Sequence, residues 1–134
     1  MEEPFASTRP IYLQIIDRMC RAIVRRELAP GDKVPSVREA AIAYGVNPNT
    51  VQRTYAELER RAIVETRRGQ GTFVTEDRER LDALRLELQE DALERLVQTL
   101  RDMGLRESEI LEGLKRYLAR HSSVVGEGGH PIHD

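Results

Sequence analysis

The sequence predicts a mainly α-helical fold with one small β-hairpin and a short helical segment appended behind it. Apolar residues recur at helical spacing in five separate stretches, two β-prone segments flank a glycine-containing turn, and Pro and Gly punctuate the gaps between the helical stretches. At 134 residues the chain holds one domain, or one small domain with an appendage, and leaves little room for a large catalytic core.

The first helix is read from Tyr12, Ile15, Ile16, Met19, Ile23 and Val24, with Gln14, Asp17, Arg18, Arg21 and Arg25 on the other side. It ends before Ala29-Pro30-Gly31-Asp32, and a loop leads on to Ser36. Ser36-Val37-Arg38-Glu39 has the form of a capping box, so a second helix of about two turns starts there. Its apolar face is Val37, Ala40, Ala41 and Tyr44, and Gly45 closes it. Asn47-Pro48 then supplies an N-cap residue and a proline suited to the first helical position, which starts a third helix.

Two helices joined by a tight glycine-containing turn form a helix-turn-helix, whose second helix is shaped for a major groove. In the third helix Val51, Tyr55, Leu58 and Ala62 form the apolar stripe, leaving Asn49, Gln52, Arg53, Ala56 and Arg60 outward. Amides and arginines are the side chains that make paired hydrogen bonds with adenine and guanine edges, although a solvated polar face has the same composition. Ile63–Thr66 and Thr72–Val74 read as a hairpin around Arg67-Arg68-Gly69-Gln70-Gly71. Its basic tip suits either contact with a phosphate backbone or plain solvation.

Charge is unevenly spread. Residues 1–75 carry 12 Lys+Arg against 9 Asp+Glu, and residues 76–134 carry 9 against 14, within an overall net charge of −2. A basic front half fits a nucleic-acid partner. The single cysteine, Cys20, excludes an internal disulfide and a thiolate metal cluster, and its apolar neighbours give it the role of a small buried hydrophobe. No run of 18 apolar residues exists and Met1-Glu2-Glu3 does not open a signal peptide, so the expectation is a protein of the cytoplasm with no membrane partner.

Four motifs, in order, carry a family resemblance: Pro10-Ile11-Tyr12-Leu13-Gln14-Ile15, the run from Leu28 through Glu39, Val46-Asn47-Pro48-Asn49-Thr50-Val51, and Gly69-Gln70-Gly71-Thr72-Phe73-Val74. Over residues 9–75 the sequence resembles the N-terminal domain of the GntR family of bacterial transcription regulators, a winged helix-turn-helix. The resemblance implies double-stranded operator DNA as the partner. It also implies contacts from Arg38 in the second helix, from Asn47, Asn49, Thr50, Gln52 and Arg53 in the third, and from Arg68, Gly69 and Gln70 in the wing. Pro48, in the same first turn, and Gln52 stand where other branches carry arginines, so their base preference does not transfer.

Only 59 residues follow Thr75, too few for the effector-binding or aminotransferase-like domains of larger branches. The chain thus resembles the YtrA-type branch, whose short helical tail dimerises. Read independently, Leu81, Leu84, Leu88, Ala92 and Leu96 form one stripe, and Leu86, Leu93, Val97 and Leu100 widen it. An arc that wide implies a second partner, either the last helix or another subunit. Gly104 ends this helix, and Ile110, Leu111, Leu114, Tyr117 and Leu118 mark a final amphipathic one. Arg106 stands where the family usually has a capping Ser or Thr. The expected organisation is a DNA-binding domain over 1–75, a dimerisation segment over 76–121 using Leu81, Leu84, Leu88, Leu93, Leu96, Val97, Leu100 and Leu114, and a flexible tail over 122–134.

An enzyme is the main competing class, but no phosphate loop, Cys–His pair or metal-spaced ligand set is present, and no cofactor is expected. His130 and His133 admit a metal reading, which the surrounding Gly and Pro outweigh in favour of a tail. A winged helix that binds protein instead of DNA is the other alternative, distinguished by salt dependence. The residues identify no effector ligand.

Overall fold

The computed structural model describes residues 4–6 and 8–122. Its elements are α1 (Ile11–Val24), α2 (Val37–Tyr44), α3 (Pro48–Arg60), β1 (Val64–Arg67), β2 (Gly71–Val74), α4 (Arg78–Asp102) and α5 (Glu107–Arg120). The expected tail, with His130 and His133, falls outside the described residues apart from Ser122. The chain divides into two compact units, one reaching Gln89 and the other starting at Glu90.

In the first unit, α1 buries Ile15, Ile16, Met19, Cys20 and Ile23, a stripe at helical spacing. α2 adds Ala40 and Ala41, and α3 adds Val51, Thr54, Tyr55 and Leu58. Thr54 is the one buried polar member among the described residues; its hydroxyl donates to the Thr50 carbonyl at 2.9 Å, which satisfies it inside the helix. Burial pushes the Cys20 thiol up to about 11, so it sits in the core as a neutral hydrophobe.

The capping box at α2 is complete: the Glu39 N–H donates to Ser36 Oγ at 3.1 Å and the Ser36 N–H donates to Glu39 Oε1 at 2.9 Å. Four helices end in one way. At α2 the Gly45 N–H donates to the Ile42 carbonyl and the Val46 N–H to Ala41, the paired closure of a Schellman motif. α1 repeats it at Arg26 and Glu27, α3 at Ala62 and Ile63, and α4 at Gly104 and Leu105. The motif demands a left-handed residue, and Gly45 (φ 70°) and Gly104 (φ 91°) meet that demand freely, whereas Arg26 (φ 69°) and Ala62 (φ 61°) carry a Cβ there.

That closure corrects the expected apolar stripe of the third helix. Helical spacing carries the count from Leu58 to Ala62, but α3 stops at Arg60, Ala62 is exposed in the left-handed turn, and Ile63 is the residue that becomes fully buried. The hairpin is also one pair longer than expected, since Arg67 pairs with Gly71 and leaves a tip of three residues.

The loop before Ser36 is not free. Lys33 pairs with Phe73, the Val34 N–H donates to the Thr72 carbonyl at 2.8 Å, and the Val74 N–H donates to Asp32 at 2.8 Å. The segment around 32–34 thus lines the open edge of β2, a position that alternation could not reveal because only Val34 of the three is buried.

Leu81 and Leu84, expected at a subunit interface, are 7% and 3% exposed and belong to the core of the first unit, with Leu88 packed against it. The compact unit therefore continues past residue 75. Apolar spacing shows that a helix face is covered, but both an intramolecular and an intermolecular partner produce the same spacing. Arg80 and Arg85 donate to the Arg61 and Val24 carbonyls, at 2.8 and 3.5 Å, placing cations at the C-terminal ends of α3 and α1.

The second unit holds the rest of α4, the turn at Gly104, and α5. Ile110 is its one buried hydrophobe among the described residues, while Val97, Leu100, Leu105 and Leu114 are half-buried. Arg106 cannot accept a cap bond, yet α5 starts beside it because Glu109 Oε1 accepts the Arg106 N–H at 2.8 Å.

Ala62→Gly and Arg26→Gly should each stabilise the protein by about 0.5–1 kcal/mol, by relieving a left-handed Cβ. Gly45→Ala should destabilise it by a similar amount, although a Cβ there meets no atom within 4 Å. Urea denaturation of the three variants checks the sign at each position.

Candidate nucleic-acid interface

The start of α3 is shaped by its cap. Asn47 Oδ1 accepts the Asn49 N–H at 2.7 Å, which commits that oxygen to the helix and leaves the Asn47 amide nitrogen outward. Pro48, Asn49, Gln52 and Arg53 are exposed and Thr50 is half-buried. Burial of Val51, Tyr55 and Leu58 on the opposite side is what turns these polar residues outward.

Arg38 projects from the first turn of α2 and is exposed. The two carboxylates that would pair with it are engaged elsewhere: Glu39 accepts from Ser36 N–H, and Asp32 Oδ2 accepts from Ala29 N–H at 2.8 Å. Arg38 has no ion pair among the described residues. It lines a groove of about 760 Å³ with Val37, Ala41, Ile42, Val46 and Pro48, which joins α2 to the first turn of α3.

A second groove, of about 410 Å³, runs between the start of α2 and the hairpin; its walls include Lys33, Ser36, Tyr55 and the whole tip from Arg67 to Thr72. The two wing arginines, equivalent by sequence, differ here. Arg67 lies over the Phe73 ring at 4.1 Å and faces Glu65 at 3.4 Å and Glu76 at 3.9 Å. Arg68 is exposed with no such partner among the described residues, beside exposed Gly69 and Gln70.

Lys33 was not singled out by sequence. It is exposed without an ion pair among the described residues, and its stem crosses β2 so closely that a Cβ on Gly71 would stand 2.6 Å from Lys33 Cε. Gly71, at φ 123°, leaves room for that crossing, which sets a cation beside the wing. The spacing from Lys33 to Gly71 gives no local signal, since the two meet through the edge pairing of the 32–34 segment. Spacing makes Tyr12 part of the apolar face of α1, and its ring also supports the Arg53 guanidinium at 3.9 Å.

Arg60 and Arg61 at the end of α3 both bond Glu57, and these bonds hold the Glu57 carboxyl down to about 2. Positive charge on the outward side of α3 is therefore left to Arg53. Among the described residues no group of His, Cys, Asp or Glu is set to hold a metal ion, and no helix is long and apolar enough to cross a membrane.

The sequence pattern of the bacterial regulatory proteins of the gntR family matches residues 11–74. A regulator of Bacillus subtilis named YhcF, of the helix-turn-helix type, is 54% identical over 117 residues, spanning 87% of this chain and 97% of that one. The chain belongs to the GntR family. The helix-turn-helix transcriptional repressor YtrA of Bacillus subtilis is 51% identical over 75 residues, 56% of this chain and 57% of the repressor. A solved GntR-family regulator from Listeria monocytogenes superposes with a TM-score of 0.78 at 37% identity, covering 84% of this chain and 98% of the other.

Helices α1 to α3 and the hairpin are thus those of a GntR winged helix, the sequence-level resemblance to the YtrA-type regulators holds, and the chain is a DNA-binding transcription regulator; its relatives are regulators and not enzymes. In this GntR-family chain, Arg68→Ala should weaken DNA binding and lower the salt dependence by about one released counterion, while Arg67→Ala should change the slope little because Glu65 and Glu76 already neutralise it. Fluorescence anisotropy across a salt series separates the two.

Proposed function

We propose that the chain is a repressor that binds an inverted-repeat operator as a homodimer, each α3 lying in a major groove and each wing tip against the flanking backbone. The supporting observation is the run of exposed cations, Arg38, Lys33 and Arg68, without ion pairs among the described residues, bordering the two grooves that link the start of α3 to α2 and α2 to the wing. Arg38 reaches a guanine edge or a phosphate. Asn47, Pro48, Asn49, Thr50 and Gln52 form the base-facing turn, and Arg68, Gly69 and Gln70 approach the backbone. Repression follows from exclusion of polymerase; the relative YtrA carries the name of a repressor.

Dimerisation is proposed for the second unit. Leu93, Leu96, Leu111 and Leu118 are 42%, 40%, 55% and 52% exposed, an apolar surface that a lone αα-hairpin leaves wet. A two-fold contact would cover it and impose matching symmetry on the operator. Val97, Leu100 and Leu114 lie half-buried beside this surface and complete the seam, whereas Leu81 and Leu84 hold the protomer together.

A mobility-shift titration on duplexes enriched from a randomised pool should show binding that is sequence-dependent and falls steeply with salt. Arg38→Ala should cost about 1–3 kcal/mol of that affinity. A shift insensitive to both sequence and salt would sink the operator reading.

Leu111→Asp and Leu118→Asp should convert a dimer to a monomer in analytical ultracentrifugation while each protomer keeps its helical circular dichroism. Unchanged mass would remove α5 from the interface.

A further inference from the structure

The pairing of Tyr12 with Arg53 joins the N-terminal turn of α1 to the outward side of α3. It is the one contact of a recognition-helix arginine, among the described residues, that is neither a salt bridge nor solvent. Resting on the regulator reading above, we propose that Tyr12 is a positioning residue which holds Arg53 as a clamp on a backbone phosphate, and that Arg53 does not read a base.

Angular position comes first. At 100° per residue, Asn49 and Ala56 mark the middle of the exposed side of α3, with Gln52 on the flank towards Tyr55 and Arg53 on the opposite flank towards Thr50 and Thr54. Thr54 is the residue that meets α1: it is fully buried, and its hydroxyl lies 3.5 Å from the Tyr12 carbonyl. Arg53 thus stands on the α1 side of that middle, about as far from it as Gln52 is on the other side, and this is the side on which the Tyr12 ring lies against it.

Chemistry comes second. The Arg53 carbon at the centre of the guanidinium lies 3.9 Å from the centroid of the Tyr12 ring. A guanidinium seated over a ring still has N–H donors to offer another partner. Arg53 is exposed and has no carboxylate partner among the described residues, in contrast to Arg60, which Glu57 neutralises. Held over the ring with donors unspent, it is placed for a contact with an anion, and a backbone phosphate is the anion that DNA supplies.

Platform geometry comes third. Tyr12 is half-buried against the core, so its ring is held by packing and does not follow the arginine. Its hydroxyl makes no hydrogen bond among the described residues, which leaves the ring face as the part that matters here.

The test uses the full-length chain, one duplex enriched from a randomised pool, and one unrelated duplex of the same length, each titrated across a salt series. Arg53→Gln should weaken both duplexes by the same factor and reduce the log–log salt slope by about 0.9. Tyr12→Leu should weaken both by roughly two- to fivefold, the share an exposed cation–π contact supplies. Tyr12→Phe should bind as the parent does. In the Arg53→Gln background, Tyr12→Leu should have no further effect, which a merely structural role for Tyr12 would not reproduce.

Equal losses from Tyr12→Leu with and without Arg53 would overturn the positioning role. A loss in Arg53→Gln confined to the enriched duplex would overturn the phosphate assignment in favour of base reading. Failure of the parent chain to enrich any duplex is a different result, and it would overturn the regulator reading beneath both.

Discussion

The Tyr55 hydroxyl donates to the Pro35 carbonyl at 2.7 Å, across twenty residues of sequence. Tyr55 is 8% exposed, and burial together with Tyr44 and Glu39 pushes its ionisation well above the ordinary range, so it remains a donor at any physiological pH. The bond ties the middle of α3 to the residue between the β2-edge segment and the Ser36 cap. On one side of Pro35, Lys33 and Val34 pair along the wing; on the other, the capping box sets the start of α2 and hence Arg38. The bond adds a fixed point between α3 and the loop that carries Lys33 and leads into α2, beside the direct packing of α2 and the hairpin on α3. Removing the hydroxyl would leave a carbonyl without its partner and loosen that loop.

Legibility followed range. Ser36 with Glu39, Asn47 with Pro48, and Gly45 are local signals because the atoms that bond lie within four residues of each other, and each stands where the sequence puts it. The helix-turn-helix and wing could be read for that reason. The 32–34 edge pairing, the Lys33 stem over Gly71 and the Arg53–Tyr12 stack join residues about forty apart, and no periodicity encodes them. The N-terminal strap is of the same kind. Gln14 exchanges two hydrogen bonds with the backbone of Ala6, and Phe5 packs beside Tyr44 with Arg18 over its ring, so a segment with no helical pattern is pinned to both α1 and α2.

Ala62 and Leu84 fail in a more instructive way. Both obey the apolar spacing, and both were assigned the wrong surroundings by it. Ala62 continues the count of α3 into a turn that has already left the helix, because a left-handed alanine costs too little to prevent a closure in which Leu58 and Ile63 are both fully buried. Leu84 lies on a face that is indeed covered, but by the core of the same protomer. Spacing reports burial; only the three-dimensional contact says by what.

Net charge shows the same limit from the electrostatic side. A chain at −2 is a poor candidate for a polyanion by composition alone. The structure sorts its cations into two classes. Arg60 and Arg61 are bonded by Glu57, Arg67 faces Glu65 and Glu76, Arg9 pairs with Asp17 and Arg25 with Glu27, so much of the positive count is cancelled within a few ångströms. Lys33, Arg38, Arg53 and Arg68 escape that cancellation because nearby carboxylates are occupied by backbone N–H groups or lie out of reach. Exposed ion pairs contribute little to stability, so their consequence here is local: at the end of α3 and on the wing they cancel Arg60, Arg61 and Arg67, while Lys33, Arg38, Arg53 and Arg68 keep their charge beside them.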